Sequence, residues 1–168
     1  RPPETVSAML EMLVNDGIDT IGSDHSPSPP SMKLGKSFYD AWGGIAGIQH
    51  GLAFLIDLFG LENSEHLQVL QDAFALMPAG QIGLERKGRL NAGAEANFFL
   101  VNPLAEQRSL PVEDLLYRYG VSAYLGFDLE LAITGSWLRG SEVTRGGRIV
   151  GVPSGRFVPG QASKSSSA

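Results

Sequence analysis

The sequence predicts an α/β fold in which helices dominate the first half of the chain and β strands the second. Apolar residues recur at helical spacing through the first 80 residues, and a short apolar run at residues 18–22 interrupts them. Alternating apolar residues and paired glycines, which are typical of strands and hairpins, come later. With 168 residues, 43% of them hydrophobic, the chain is long enough to bury a core.

A first helix is predicted from a stripe of apolar residues spaced three and four apart. The stripe consists of Val6, Met9, Leu10, Leu13 and Val14. The turn-forming run 15–17 ends this helix. Residues 18–22 are then predicted to form a buried strand that leads directly into Ser23 and Asp24.

A long loop and two further helices are predicted to follow. Residues 25–37 are rich in proline and serine, and loops of that length are usually functional or disordered. The second helix is predicted to open at Gly43-Gly44, and Pro78 is predicted to end the third. The second stripe comprises Ile45, Ile48, Leu52, Leu55, Ile56 and Phe59, and the third comprises Leu67, Leu70, Phe74 and Met77.

The second half is predicted to be β-rich. A short strand over 98–101 is closed by Asn102-Pro103, residues 129–134 alternate as a half-buried strand does, and Gly146-Gly147 indicates a hairpin. We therefore expect one domain over 1–80 and a second, β-rich segment over 81–160. The serine-rich tail 161–168 is predicted to be disordered.

Composition narrows the functional class. The net charge of −5 argues against a nucleic-acid-binding surface, and no run approaches the ~20 apolar residues of a membrane span. Because the chain has no cysteine and no visible targeting segment, we expect a cytoplasmic protein without disulfides or thiolate metal sites. It begins Arg-Pro-Pro rather than with methionine, which indicates a piece of a longer polypeptide.

Asp24 is the candidate catalytic residue. It lies where a predicted strand passes into a loop, which is where α/β barrels carry their working groups. The alternative is that its side chain caps the following turn, a common role for aspartate. The local pattern leaves both interpretations open.

Three stretches resemble the allantoinase family of cyclic amidohydrolases. They are Ser23-Asp24-His25-Ser26-Pro27, Pro29-Pro30-Ser31-Met32-Lys33 and Ala41-Trp42-Gly43-Gly44-Ile45-Ala46-Gly47-Ile48-Gln49. The resemblance runs over roughly residues 1–157 and implies the C-terminal part of a TIM-barrel hydrolase, its last βα units, followed by part of a small β-rich domain. A complete barrel needs about 250 residues, more than this chain has.

The resemblance also implies a chemistry. In this family a binuclear metal centre, commonly zinc, activates the hydroxide that opens a cyclic amide, and an aspartate binds one metal and carries the proton. Asp24 matches that aspartate, and Ser26 and Pro27 are candidate substrate contacts, with a purely structural turn as the alternative. The family's other metal ligands lie upstream of this chain, so the chain alone should be inactive.

The remaining expectations concern the histidines and the partner. His25 is predicted to point away from Asp24, and His50 and His66 are predicted to lie on the surface. The expected substrate is a small cyclic ureide, and the full-length enzyme is expected to be a homo-oligomer. The alternatives are a dihydropyrimidinase, hydantoinase or dihydroorotase activity, or a non-catalytic remnant that acts as an interaction module.

Overall fold

The computed structural model describes residues 2–158, and these form a mixed α/β fold with one four-stranded sheet. The chain divides into two compact units. Unit A contains the described parts of 1–21, 63–101 and 133–168, and unit B contains 22–62 and 102–132. The expected division at residue 80 stays a prediction, and the predicted disordered tail lies outside the described residues.

The first helix, α1, spans Pro3–Val14, as the apolar stripe predicts. Pro3 occupies the first turn, where the missing N–H of proline costs nothing. The helix ends where the N–H of Gly17 donates to the carbonyl of Met12 at 2.7 Å. Leu13 is the buried member of the stripe, while Val6 and Met9 are nearly half exposed.

The predicted buried strand over 18–22 is wrong. These residues have no strand assignment, and they are half-buried or exposed. The N–H of Ile21 donates to the carbonyl of Ala73, and the first bridge after the segment is a parallel one between His25 and Ile45. A strand requires neighbours on its edges, and within residues 2–158 nothing pairs along this segment.

The second helix, α2, spans Gly51–Phe59, so the predicted start at Gly43-Gly44 is wrong. In the stretch before it, Ile45 forms the bridge to His25, and its carbonyl accepts from the N–H of Ser26 at 2.8 Å. A Cβ on Gly44 would lie 2.5 Å from Cβ of Ser26, so only glycine permits this approach.

Helix α3 spans Ser64–Gln71 and continues through a π-helical turn, Asp72–Leu76, into α4, Met77–Gln81. Pro78 therefore does not end the helix, contrary to expectation. It occupies the first turn of α4, where the change of hydrogen-bond register removes the need for its N–H. Leu70, only 2% exposed, is the most deeply buried large side chain of unit A.

The sheet has the order β1-β2-β3-β4, with β1 at Phe98–Ser109, β2 at Asp128–Leu138, β3 at Ser141–Arg145 and β4 at Arg148–Ile149. Asn102-Pro103 does not close β1, because a proline is tolerated on an edge strand. The alternating strand and the Gly146-Gly147 hairpin are confirmed, both glycines having positive φ. A bulge lies between Ser136 and Trp137. No helix within residues 2–158 is both long and apolar enough to cross a bilayer.

Candidate functional site

Asp24 stands exposed in unit B, directly before the His25–Ile45 bridge. Its φ of 41° places it in the left-handed region, which aspartate tolerates better than most residues. Neither a hydrogen bond nor an ion pair to its carboxylate is formed by the described part of the chain. A carboxylate that caps the following turn would need a backbone N–H there, so the geometry leaves Asp24 available to a ligand.

His25 anchors the residues next to Asp24. Its Nδ1 accepts from the backbone N–H of Gly47 at 3.2 Å and of Ile48 at 3.4 Å. The imidazole also lies against the ring of Tyr117, with centroids 5.2 Å apart. Because Nδ1 accepts, the neutral ring carries its proton on Nε2.

Ser26 and Pro27 differ in which of their groups could contact a ligand. Both backbone groups of Ser26 are used, since its N–H donates to Ile45 and its carbonyl accepts from Nε1 of Trp42 at 3.2 Å. Its hydroxyl has no partner among the described residues, and Pro27 is exposed. The chain therefore brings Asp24, Ser26 and Pro27 into one short loop held by its backbone.

Ser28 is a polar residue that sequence reasoning missed. It is 4% exposed, and its Oγ has no hydrogen-bond partner within the described chain. Its neighbours in a proline- and serine-rich run give no signal of burial, because that composition is typical of solvated loops.

The expectation that His50 lies on the surface is wrong. The side chain is 8% exposed and contacts the rings of Tyr117 and Tyr124, each with centroids 6.3 Å away. Burial lowers the pKa of His50, and the nearby carboxylate of Asp114 partly opposes that shift. The other histidine expected at the surface, His66, is half-buried and contacts Asn63.

Gln49 ties the start of α2 to residues 114–117. Its side-chain amide donates to the carbonyl of Asp114 at 2.8 Å and accepts from the N–H of Leu116 at 2.9 Å. Its own N–H donates to Oη of Tyr117 at 3.0 Å. Burial raises the pKa of Tyr117, and the bond from Gln49 partly opposes this. This network holds the residue two positions before the start of α2 against residues 114–117.

The described residues do not by themselves fit a catalytic zinc centre. Such a site normally needs three protein ligands. Within residues 2–158, no group of three or more histidine, aspartate and glutamate side chains lies close enough together to hold a metal ion. Asp24 supplies a single carboxylate.

Comparison with known proteins identifies the relationship. No protein-family model matches the sequence. The chain is 37% identical over 159 residues to an allantoinase from Deinococcus radiodurans, which covers 94% of this chain and 35% of that protein. An allantoinase from Rubrobacter xylanophilus is also 37% identical, over 164 residues, covering 98% of this chain and 36% of that protein. Over nearly its whole length, the chain is therefore similar to a part of these allantoinases.

Two solved structures share the fold of this chain. The L-hydantoinase of Arthrobacter aurescens matches with a TM-score of 0.80 at 25% identity, over 89% of this chain and 34% of that one. A D-hydantoinase from a Thermus species matches with a TM-score of 0.76 at 24% identity, over 87% of this chain and 32% of that one, and shows a shared fold. The chain spans about a third of the length of the curated relatives.

Proposed function

We propose that this chain is the C-terminal part of an allantoinase and contributes Asp24 to the hydrolysis of the cyclic amide of allantoin to allantoate. The observation that carries the proposal is the exposed carboxylate of Asp24, which has no partner among the described residues, in a chain 37% identical over 159 residues to an allantoinase. On this proposal residues 1–80 belong to the hydrolase barrel and residues 81–160 to a β-rich segment.

Asp24 is proposed to act as general base and then as general acid. Its carboxylate takes a proton from the attacking water as the oxygen adds to the amide carbon, and returns it to the ring nitrogen as the C–N bond breaks. Side chains that act in this way typically contribute about 10²–10⁴-fold to the rate. The family resemblance also makes Asp24 a ligand of a two-metal centre, with zinc as the expected metal.

The described residues do not fit a complete metal site, so proton transfer is the step that this chain can supply by itself. The remaining ligands would come from elsewhere in the full-length enzyme, for which a homo-oligomer is proposed. Ser26 is proposed to hydrogen-bond the substrate through its hydroxyl, which no other described residue contacts by a hydrogen bond, and Pro27 is proposed to stiffen the loop beside it. The 168-residue chain alone is then inactive.

A chimera tests the proposal. The matched 159 residues of the Deinococcus allantoinase are replaced by this chain, and allantoin hydrolysis is measured for the chimera and for its Asp24→Asn variant. We expect the chimera to be active and the variant to lose about 10²-fold or more in kcat. Asp16→Asn is the matched control, because Asp16 is also exposed with a positive φ of 58°. Equal activity of the two variants contradicts the role of Asp24.

The hydantoinase fold matches favour a second candidate, hydrolysis of a hydantoin or dihydropyrimidine ring. The same chain is therefore also placed in the Arthrobacter hydantoinase, and both chimeras are assayed with allantoin, hydantoin, dihydrouracil and dihydroorotate. The second candidate would be favoured if the hydantoinase chimera is active while the allantoinase chimera folds but is inactive. Hydrolysis by the isolated 168-residue chain would contradict the proposed inactivity.

A further inference from the structure

Unit A contains a pocket lined by basic side chains, which we name the arginine pocket. It is lined by Arg86, Ala94, Glu95, Ala96, Arg139 and Arg156. It shares no residue with the Asp24 loop. The chain as a whole carries a net charge of −5, whereas three positively charged guanidinium groups line this one pocket.

The backbone around the arginine pocket is tied together. Arg139 lies in the turn between β2 and β3 with a φ of 51°, a conformation that is unfavourable for a long side chain. Its N–H donates to Oδ1 of Asn97 at 2.8 Å, and the N–H of Gly140 donates to the carbonyl of Ala96 at 2.9 Å. On the other side, the N–H of Glu95 donates to the carbonyl of Arg86 at 2.8 Å. These bonds fix the segments that carry Arg86, Glu95 and Arg139.

The carboxylate among the lining residues, that of Glu95, forms an ion pair with a lysine. Oε2 of Glu95 accepts from Nζ of Lys87 at 2.6 Å and from Nδ2 of Asn97 at 3.2 Å. The hydrogen bond from Lys87, followed by the one from Asn97, holds the pKa of Glu95 below its usual value. Glu95 therefore stays ionised and paired with Lys87, and the three arginines keep an excess of positive charge.

In the part of the chain that the structure describes, most N–H donors of these arginines have no acceptor. A guanidinium carries five N–H donors in a planar fork. Within residues 2–158, Arg86 donates through Nε to the carbonyl of Gly93, and Arg139 donates through Nη2 to that of Ser154. The guanidinium of Arg156 has no hydrogen-bond partner there.

We propose that the arginine pocket binds an oxyanion, either a carboxylate or a phosphate group. Both anions offer the paired oxygens that a guanidinium fork recognises, and several such forks around one pocket favour a doubly charged ligand. The site is open to solvent, so its affinity falls steeply with ionic strength. The inference stands independently of the catalytic role proposed for Asp24.

Calorimetric titration of the 168-residue chain at low ionic strength tests the proposal, with inorganic phosphate and succinate as separate probes. We expect saturable 1:1 binding of at least one probe, and the stronger of the two identifies the ligand chemistry. Arg86→Gln and Arg156→Gln should each weaken binding about five- to tenfold, because each removes a charge-assisted donor pair. Arg148→Gln removes the same charge from exposed strand β4 and should change affinity less than twofold.

Arg139→Gly separates binding from folding. Glycine accepts the positive φ without strain, so the variant should melt at the same or a higher temperature while binding the anion more weakly. Absence of saturable binding for both probes overturns the proposal. So does an Arg148→Gln variant that loses as much affinity as the pocket variants, because binding would then follow net charge alone.

Discussion

Asp24 and His50 lie in the same unit, but the side chain of Asp24 is exposed to water and that of His50 is buried. Asp24 is exposed and has no partner in the described chain, so its carboxylate is open to a ligand. His50 is buried against two tyrosine rings, and its Nδ1 lacks a hydrogen-bond partner within residues 2–158. Burial disfavours the charged imidazolium, which makes His50 a source of pH-dependent stability.

The chain is expected to lose stability as the pH falls below neutrality. The pKa of His50 is lower in the folded chain than its ordinary value of 6.5, so the unfolded chain binds the proton first. The stability associated with neutral His50 is present above pH 6.5 and declines as the pH drops through the folded-state pKa, by at most about 1.4 kcal/mol per pH unit. Asp114 moderates the effect because its carboxylate favours the imidazolium.

Urea unfolding between pH 7.5 and 5 measures this dependence. His50→Leu removes the titrating group and the unpartnered nitrogen together, so we expect a shallower decline than in the parent chain, with stability at pH 7.5 retained. An identical slope in both proteins would show that His50 does not contribute.

At the scale of elements, two segments of unit B are joined by backbone pairing and by one imidazole. The loop that carries Asp24 and the stretch 44–48 share the His25–Ile45 bridge, the Ser26–Ile45 bond and the two bonds to Nδ1 of His25. At Ile45 the bridge takes the place of the helix that the apolar stripe predicts there. The position of the candidate catalytic loop therefore depends on a backbone-to-side-chain contact.

His25→Leu and His25→Asn form a matched pair that tests this contact. The asparagine oxygen can accept at the place of Nδ1, whereas leucine leaves the N–H groups of Gly47 and Ile48 without an acceptor. We expect the leucine variant to be less stable than the asparagine variant by about 1–2 kcal/mol, because unsatisfied donors carry a desolvation cost. The free energy of unfolding from urea titration measures this difference, and equal stability would contradict the anchoring role.

At the scale of the whole molecule, the chain exposes apolar surface that a helix normally buries. Met9 and Met12 of α1 are 47% and 52% exposed, whereas Leu13 is 4% exposed. The chain matches only 35% of the length of the Deinococcus allantoinase. Contiguous exposed apolar side chains favour association.

The isolated chain is therefore expected to self-associate in a concentration-dependent way. Replacing Met9 and Met12 together by glutamine should reduce association while leaving the free energy of unfolding nearly unchanged, because both side chains are half in water already. Leu13→Ala is the contrasting variant and should cost about 2–5 kcal/mol. Light scattering coupled to size-exclusion chromatography reads out the mass, and a monomer at all concentrations would contradict the expectation.

The local sequence pattern was sufficient to predict an element where that element is stabilised by residues close together in the sequence. The helix at residues 3–14 follows from a stripe and a turn signal, and the hairpin at Gly146-Gly147 from two residues that accept positive φ. The resemblance around Asp24 pointed to the family, because those residues stand in fixed order along the chain. The arginine pocket was beyond such reasoning, since Arg86, Arg139 and Arg156 are far apart in sequence.

The sequence by itself determined the α/β class and the similarity to allantoinases, and it led to Asp24 as the candidate carboxylate. Only the tertiary structure decided that residues 18–22 form no strand, that α2 begins at Gly51 and that His50 is buried. The physical reason is the same in each case. Strand pairing, helix start and burial depend on which distant backbone groups and side chains come into contact, and hydrophobic spacing along the chain does not contain that information.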